Sequence, residues 1–382
     1  MAIEVTATHD PKDILKQVYD PSNQKKGYEL AASKGITFSA FLETISPTKP
    51  GEPLDAYERL LKHCGIVLKD DPDHGIYASK GALFFQSNLP EARVLFPEFI
   101  NRTIRAAMMD EANVLDYLVA GWDIADSNVF RSFYFDDTAT QRKAGRRAEG
   151  AKPRKFKVTW SEKAVYTKDF SIELDMTYEF VRWASLPVIQ LALKRVALER
   201  QQDEVAEAIY VYVNGDGTSK EGGAITPETL SDYNITSGGI TYEAYLKWLA
   251  GFDPYNPSVI VASAADLISL LVMAKPSTDP ALLYALLDKS KTGGVPTIVN
   301  LPFSQMSFVK FNDSTILTSK YVLGIDKRFG LMGHRALGMD LVETDRVIDA
   351  KFEKIVISNY VGFSKVFASA AKILDITAIS KG

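Results

Sequence analysis

Residues 186–213 follow a helical pattern that nothing interrupts, about 28 residues and about 42 Å at 1.5 Å per residue. Ser185 is a good N-cap, and Pro187 falls in the first turn, where its missing N–H costs nothing. Ile189, Leu193 and Val196 make one apolar stripe, and Val205, Ile209 and Tyr212 make another. Between them residues 194–207 are charged, with Arg195/Glu199 and Arg200/Glu204 at i,i+4 spacing. A helix this long, apolar at both ends and charged between, predicts two packed regions spanned across a solvated waist. Asn214-Gly215 ends it by taking left-handed backbone cheaply.

Just before this helix the sequence reads as a strand, a basic glycine-broken tip and a returning strand. Val129, Arg131, Phe133 and Phe135 share one face by alternation, and Phe170, Ile172 and Leu174 alternate with Ser171, Glu173 and Asp175. The tip carries eight basic residues, Arg142, Lys143, Arg146, Arg147, Lys152, Arg154, Lys155 and Lys157, against the single acid Glu149. Like charges so dense repel unless solvent or an acidic partner takes them up. Such an arm is suited to reaching a neighbour, which points to assembly more than to catalysis. Two other readings stay open, a solvated loop and a nucleic-acid contact. Trp160 and Tyr166 flank the tip, but no stacking-platform motif surrounds them.

The 382 residues suffice for two or three domains, and an 11% aromatic content suits large buried interfaces. A net charge of −4 excludes nucleic-acid binding by bulk charge. Cys64 is the single cysteine, so no internal disulfide forms, stability rests on packing or partner subunits, and the chain fits a reducing compartment. The opening Met1-Ala2-Ile3-Glu4 lacks the basic start and apolar stretch of a signal peptide. The longest apolar run, 267–274, falls far short of a membrane span, so a soluble protein made in a cytosol is expected.

Short helices are expected over residues 11–19, 37–43 (capped by Thr37) and 54–63, separated by Pro47, Pro50 and Pro53. Elements so short bury little among themselves, and the region reads as an extended arm lying on other surfaces. A helix is expected over 95–109. After Gly222 the pattern is α/β, with helices over 242–250, 264–273 and 280–288. Strands are expected over 258–262, 297–299, 308–311, 321–325 and 329–332, and 354–376 is strand-rich.

Motifs for chemistry are absent. The run Asn214-Gly215-Asp216-Gly217-Thr218 follows a helix and lacks P-loop spacing, so it reads as a helix cap. His63 and Cys64 are adjacent, which points their side chains apart on a helix. His9, His63, His74 and His334 show no ligand spacing, and Asp71, Asp73 and His74 sit around a proline turn. No catalytic, cofactor or metal residue is assigned, and the chain is not expected to be an enzyme.

The order of elements resembles the major capsid protein of tailed double-stranded-DNA phages, the HK97-type family. The segment from Ile172 to Glu179 looks like the family's entry to its spine region, and 186–213 closing in Asn214-Gly215-Asp216-Gly217-Thr218 is similar to the spine helix and its end. The resemblance implies an α+β fold. Its parts are an N-terminal arm and extended region (1–95), the start of a peripheral domain (96–126), an extended hairpin or E-loop (127–171), spine helix and peripheral domain (172–221), an axial domain (222–345), and C-terminal strands returning to the peripheral domain (346–382). It implies self-assembly into hexamers and pentamers of an icosahedral shell around packaged double-stranded DNA, in a virion assembled in a bacterial cytoplasm. Implied partners are a separate scaffolding protein, a portal, a possible decoration protein and the DNA, held non-specifically, with no membrane and no cofactor. The E-loop tip residues Arg142, Lys143, Arg146, Arg147, Lys152, Arg154 and Lys155 are then the inter-subunit contact. Some family members join an E-loop lysine to a neighbour's asparagine; Lys143, Lys152, Lys155 and Asn359 are available here, but no motif fixes such a pair. An encapsulin-like compartment shell and a soluble α/β enzyme are the alternatives.

Overall fold

Well-capped short helices open the chain. The computed structural model describes residues 10–23, 26–86, 88–110, 114–125, 127–131, 133–135, 149, 158–160, 164–218, 222–272, 306–336, 341–347 and 352–378. These fall into two compact units, each assembled from three stretches of chain: Met1–Ala112, Asp169–Gln202 and Ala336–Tyr360 in the first, Asn113–Lys168, Asp203–Arg335 and Val361–Gly382 in the second.

In the first unit Asp10 caps helix α1 (Pro11–Val18), accepting from Lys12 N at 3.0 Å, with Pro11 at the first helical position. Helix α2 (Lys26–Ser33) follows, then α3 (Phe38–Ile45), where Thr37 Oγ1 accepts from Ala40 N. An Asp55/Glu58 capping box starts α4 (Ala56–His63). Alone, each eight-residue helix is too short to persist in water. Together they pool their apolar faces: Val18, Phe41, Leu42, Ile45 and Leu60 are fully buried, in one core with Phe84, Ile100 of α5 (Leu95–Asp110) and Ile355. The expected extended arm is therefore corrected. Residues 10–95 are part of a globular unit, because helices from one stretch of chain cover each other. Arg102 of α5 fastens them, donating to Asp55 Oδ2 at 2.6 Å and to Ser39 Oγ at 2.8 and 2.9 Å, with its guanidinium 4.4 Å from the Tyr57 ring centre.

A three-stranded antiparallel sheet completes this unit, in the order β13 (Leu341–Val347), β14 (Phe352–Ser358), β7 (Ile172–Thr177). In β7 the expected alternation holds, with Ile172 and Leu174 half-buried, Met176 buried, and Glu173 and Asp175 exposed. Thr177 then caps helix α7 (Tyr178–Trp183), accepting from Phe180 N.

In the second unit a five-stranded sheet runs β10 (Ser307–Lys310), β9 (Val259–Ala262), β11 (Tyr321–Ile325), β16 (Ala371–Asp375), β8 (Glu228–Thr229). Its core gathers Ile260, Val322 and Leu374 with Trp248 and Leu270, from helices α9 (Tyr242–Ala250) and α10 (Ala264–Leu271), and with Phe252. A second sheet has the order β1 (Val119–Ala125), β12 (Leu331–Ala336), β15 (Tyr360–Lys365), β6 (Lys168–Asp169), and a short helix α6 (Leu115–Leu118) leads into β1. The C-terminal strands therefore divide. β14 pairs with β7, whereas β16 pairs with β11, and β13, which crosses the expected boundary after residue 345, joins the first unit's sheet. The expected elements at 280–288 and 297–299 lie outside the described residues.

Candidate assembly surface

The long helix α8 spans Leu186–Asn214, 29 residues, and the division between the units falls within it, between Gln202 and Asp203. Ile189, Leu193 and Ala197 are buried in the first unit's core; Ala208, Ile209 and Tyr212 are buried in the second, where Tyr212 Oη donates to Leu118 O at 2.7 Å. Val205 is buried, while Val196 is only half-buried and Ala197 takes the inward place beside it. The middle of the helix departs from the expected solvated waist. Arg195 and Glu199 pair at 2.8 Å in solvent, but Arg200, Gln201 and Glu204 are buried. They continue the Ile189–Leu193–Ala197 stripe at three- and four-residue steps toward Ala208, so helical geometry turns them inward despite their polarity. Gly215, at φ +87°, ends the helix as expected. In the loop beyond, Asp216 Oδ1 accepts from Thr218 N and its Oδ2 from Lys365 N, both at 2.8 Å, which makes this a cap held by a carboxylate and not an anion cradle.

The hairpin is present as an antiparallel ladder. Strand β2 (Val129–Phe130) pairs with β5 (Val165–Tyr166), and β3 (Phe133–Phe135) with β4 (Val158–Trp160). Phe130 stands opposite Val165 and Phe133 opposite Trp160, so the returning strand carries two extra residues between the two ladders. Phe130 and Val165 form the buried face. The Phe130 ring stacks on His334 with centroids 3.4 Å apart, and a Cβ on Gly362 would stand 2.8 Å from that ring. Val129 and Arg131 share one face, as the alternation predicts. Both are exposed and Phe130 points inward, because the β12–β15 sheet lies on that side.

The opposite face of this ribbon is apolar as well. Val129 and Tyr166, partners across the ladder, are 38% and 64% exposed, and Val158 is 54% exposed. Close by, Lys168 Nζ pairs with Glu207 at 2.7 Å and lies 5.3 Å from the ring centre of the exposed Tyr210 on α8. In the first unit Trp183, Val188 and Leu191 are likewise exposed, Leu191 at 71%. Of these residues the sequence pattern singles out only Val129 and Tyr166. The signal of the others was available as large apolar side chains at helix and strand positions outside the core stripe.

The tip residues Arg142, Lys143, Arg146, Arg147, Lys152, Arg154 and Lys155 lie outside the described residues. Asn359 is buried, its carbonyl accepting from Phe170 N at 2.8 Å. Cys64 is buried, and burial pushes its thiol up to about 11, far from a nucleophile's range. Asp71 and His74 hydrogen-bond at 2.8 Å within an exposed turn closed by Gly75. Among the described residues no group of three possible ligands gathers to hold a metal, and no helix is long and apolar enough to cross a membrane.

No protein-family model matches the sequence, and no curated protein matches it. Among solved structures, the chain is similar to the capsid of a native GTA particle, with 12% identity and a TM-score of 0.47, over 70% of this chain and 91% of that one. It is similar to a virus-like particle from Pyrococcus furiosus, with 11% identity and a TM-score of 0.42, over 72% and 98%. It is also similar to the procapsid of satellite phage P4, with 8% identity and a TM-score of 0.42, over 73% and 92%.

Proposed function

We propose that this chain is a shell-forming major capsid protein of the HK97 type, closing into hexamers and pentamers that tile an icosahedral shell around packaged double-stranded DNA. The role is mechanical. The observation that carries it is the hairpin ladder: a two-stranded ribbon with Phe130 and Val165 buried on one face and Val129 and Tyr166 bare on the other. An isolated ribbon of this kind is marginal in water, and exposed apolar area on it marks a surface that something covers. Eight basic residues between the ladder's two strands add a charged contact for an acidic patch on the next copy. The exposed Trp183, Val188 and Leu191 supply further area to bury. Closed symmetry repeats each such contact many times, so modest contacts suffice.

A separate scaffolding protein, a portal and non-specific contact with DNA on the inner face belong to this reading, as does assembly in a bacterial cytoplasm. A slightly acidic chain suits it, since a strongly basic inner wall would grip DNA and hinder packaging. Negative-stain microscopy of the purified chain is the test: closed shells or capsomers are expected. A small, monodisperse species by light scattering would refute the proposal, and shells that co-purify with protein cargo would favour a compartment instead. Deleting residues 142–157 is expected to leave a folded chain that does not assemble. Normal shells from that deletion would refute the role of the tip.

A further inference from the structure

His334 lies in the middle of β12 and is nearly inaccessible at 5% exposure. Three elements of the second unit close on it. From β15, Ser364 Oγ lies 3.0 Å from its Nε2. From β2, the Phe130 ring stacks on its face. From β1, Asp123 Oδ2 lies 3.4 Å from Nδ1, too far for a good hydrogen bond. The glycines on either side leave no room for retreat: a Cβ on Gly333 would fall 2.6 Å from the Trp122 ring, and one on Gly362 would meet Phe130. Phe130 thus seats the ribbon of β2 and β5 on the sheet against both His334 and Gly362.

Among the described residues the charges near the ring are few. On β1 there is Asp123, whose side chain is 58% exposed. On β12 itself Arg335 is turned to the Trp122 ring, 4.1 Å from its centre. On β15 Lys365 donates to Gly223 O at 2.7 Å. Lys168, past β5, is engaged with Glu207. Strand β2 offers only the Phe130 ring. Among the described residues Asp123 is therefore the one carboxylate placed to welcome a proton on the ring, and it is largely in water, where a charge helps least. The Phe130 face attracts a cation too, but burial opposes the charge more strongly.

We propose that His334 is a proton-sensitive latch for the hairpin base: its neutral ring seats the β2–β5 ribbon on the β12–β15 face, and protonation releases that ribbon while the five-stranded sheet of the same unit stays folded. Burial lowers the imidazole from 6.5 to about 4, against the smaller upward pull of Asp123. The sign follows. With the folded value below the released one, the latch is fully closed above pH 6.5 and weakens as pH falls toward 4. This reading rests on the second unit alone and does not require the shell proposal.

Hydrogen–deuterium exchange on the full chain, with intrinsic pH dependence removed, tests it. The reporters are the amides of β2 and β5 and that of Thr167, which donates to Asn128 O at 3.0 Å; the controls are β9 and β11. Opening of the ribbon is expected to rise about thirtyfold between pH 7.5 and pH 5, with the control strands unmoved. His334→Gln keeps a partner for Ser364 but takes no proton, so its change over the same range should stay under about threefold. Asp123→Asn, a surface substitution, should leave this range unchanged and carry the rise further below pH 4, where the native profile levels off. Three results would overturn the latch: a flat profile in the native chain, an equal rise in His334→Gln, or loss of ribbon and control strands together. If His334→Gln does not fold, the Asp123→Asn profile carried below pH 4 decides, and a plateau unmoved from the native one overturns the proposal.

Discussion

Residues 10–95 and the hairpin of residues 127–171 both read, in sequence, as limbs that need another surface. They end differently. The first stretch finds its surface in its own chain, where four short helices bury Val18, Phe41, Leu42, Ile45 and Leu60 against α5 and α8. The hairpin finds only half of one, with Phe130 and Val165 covered and Val129 and Tyr166 bare. The difference is geometric. A helix has one apolar stripe, and several helices satisfy one another by turning their stripes to a common centre. A two-stranded ribbon with apolar residues on both faces cannot cover both with one sheet. Exposed apolar side chains thus mean more on the hairpin than shortness means in the helices.

The contrast breaks most readily at Phe41. Its replacement by alanine is expected to destabilise the isolated subunit by about 3–5 kcal/mol in a denaturant melt, as for any fully buried aromatic residue. An unchanged midpoint would return residues 10–95 to the status of an arm. Next comes the helix shared by both units: Val196→Pro should cost about 3 kcal/mol or more and lower the melting transitions of both. A smaller effect is expected at Asp55, which both caps α4 and receives Arg102. Asp55→Ala should cost about 1–2 kcal/mol, with the α4 amides exchanging faster than those of α8. Smallest in the subunit is Tyr166→Ser, within about 0.5 kcal/mol by the same melt, since the side chain lies in solvent. The same variant should assemble poorly in sedimentation. Unaltered assembly would show that the bare ribbon face is not a contact.

Much of the molecule was legible from spacing. The long helix was expected over 186–213 and spans Leu186–Asn214, with Gly215 in the left-handed backbone that stops it. The helix Tyr242–Ala250 and the strand Tyr321–Ile325 lie where they were expected. The candidate surface was read less well. Alternation puts Val129 and Arg131 on one face of the ribbon without assigning Phe130 the inward one, and Tyr166 stands in the sequence only as a neighbour of the basic tip. Alternation says that two faces exist; it does not say which one meets a sheet.

Local chemistry settles caps, stops and periods, because a Thr37 hydroxyl, an Asp55/Glu58 box or a glycine after Asn214 acts within a few residues of itself. That is why the element order could be written down from the residues. What required the folded chain was burial and partnership between distant segments. Glu204 is buried although it is charged, β14 and β16 divide between two units although they are near neighbours in sequence, and His334 meets Phe130 across about two hundred residues. Those outcomes depend on which surfaces arrive at the same place. No single stretch of sequence holds that information, since the free energy of each contact belongs to both of its sides.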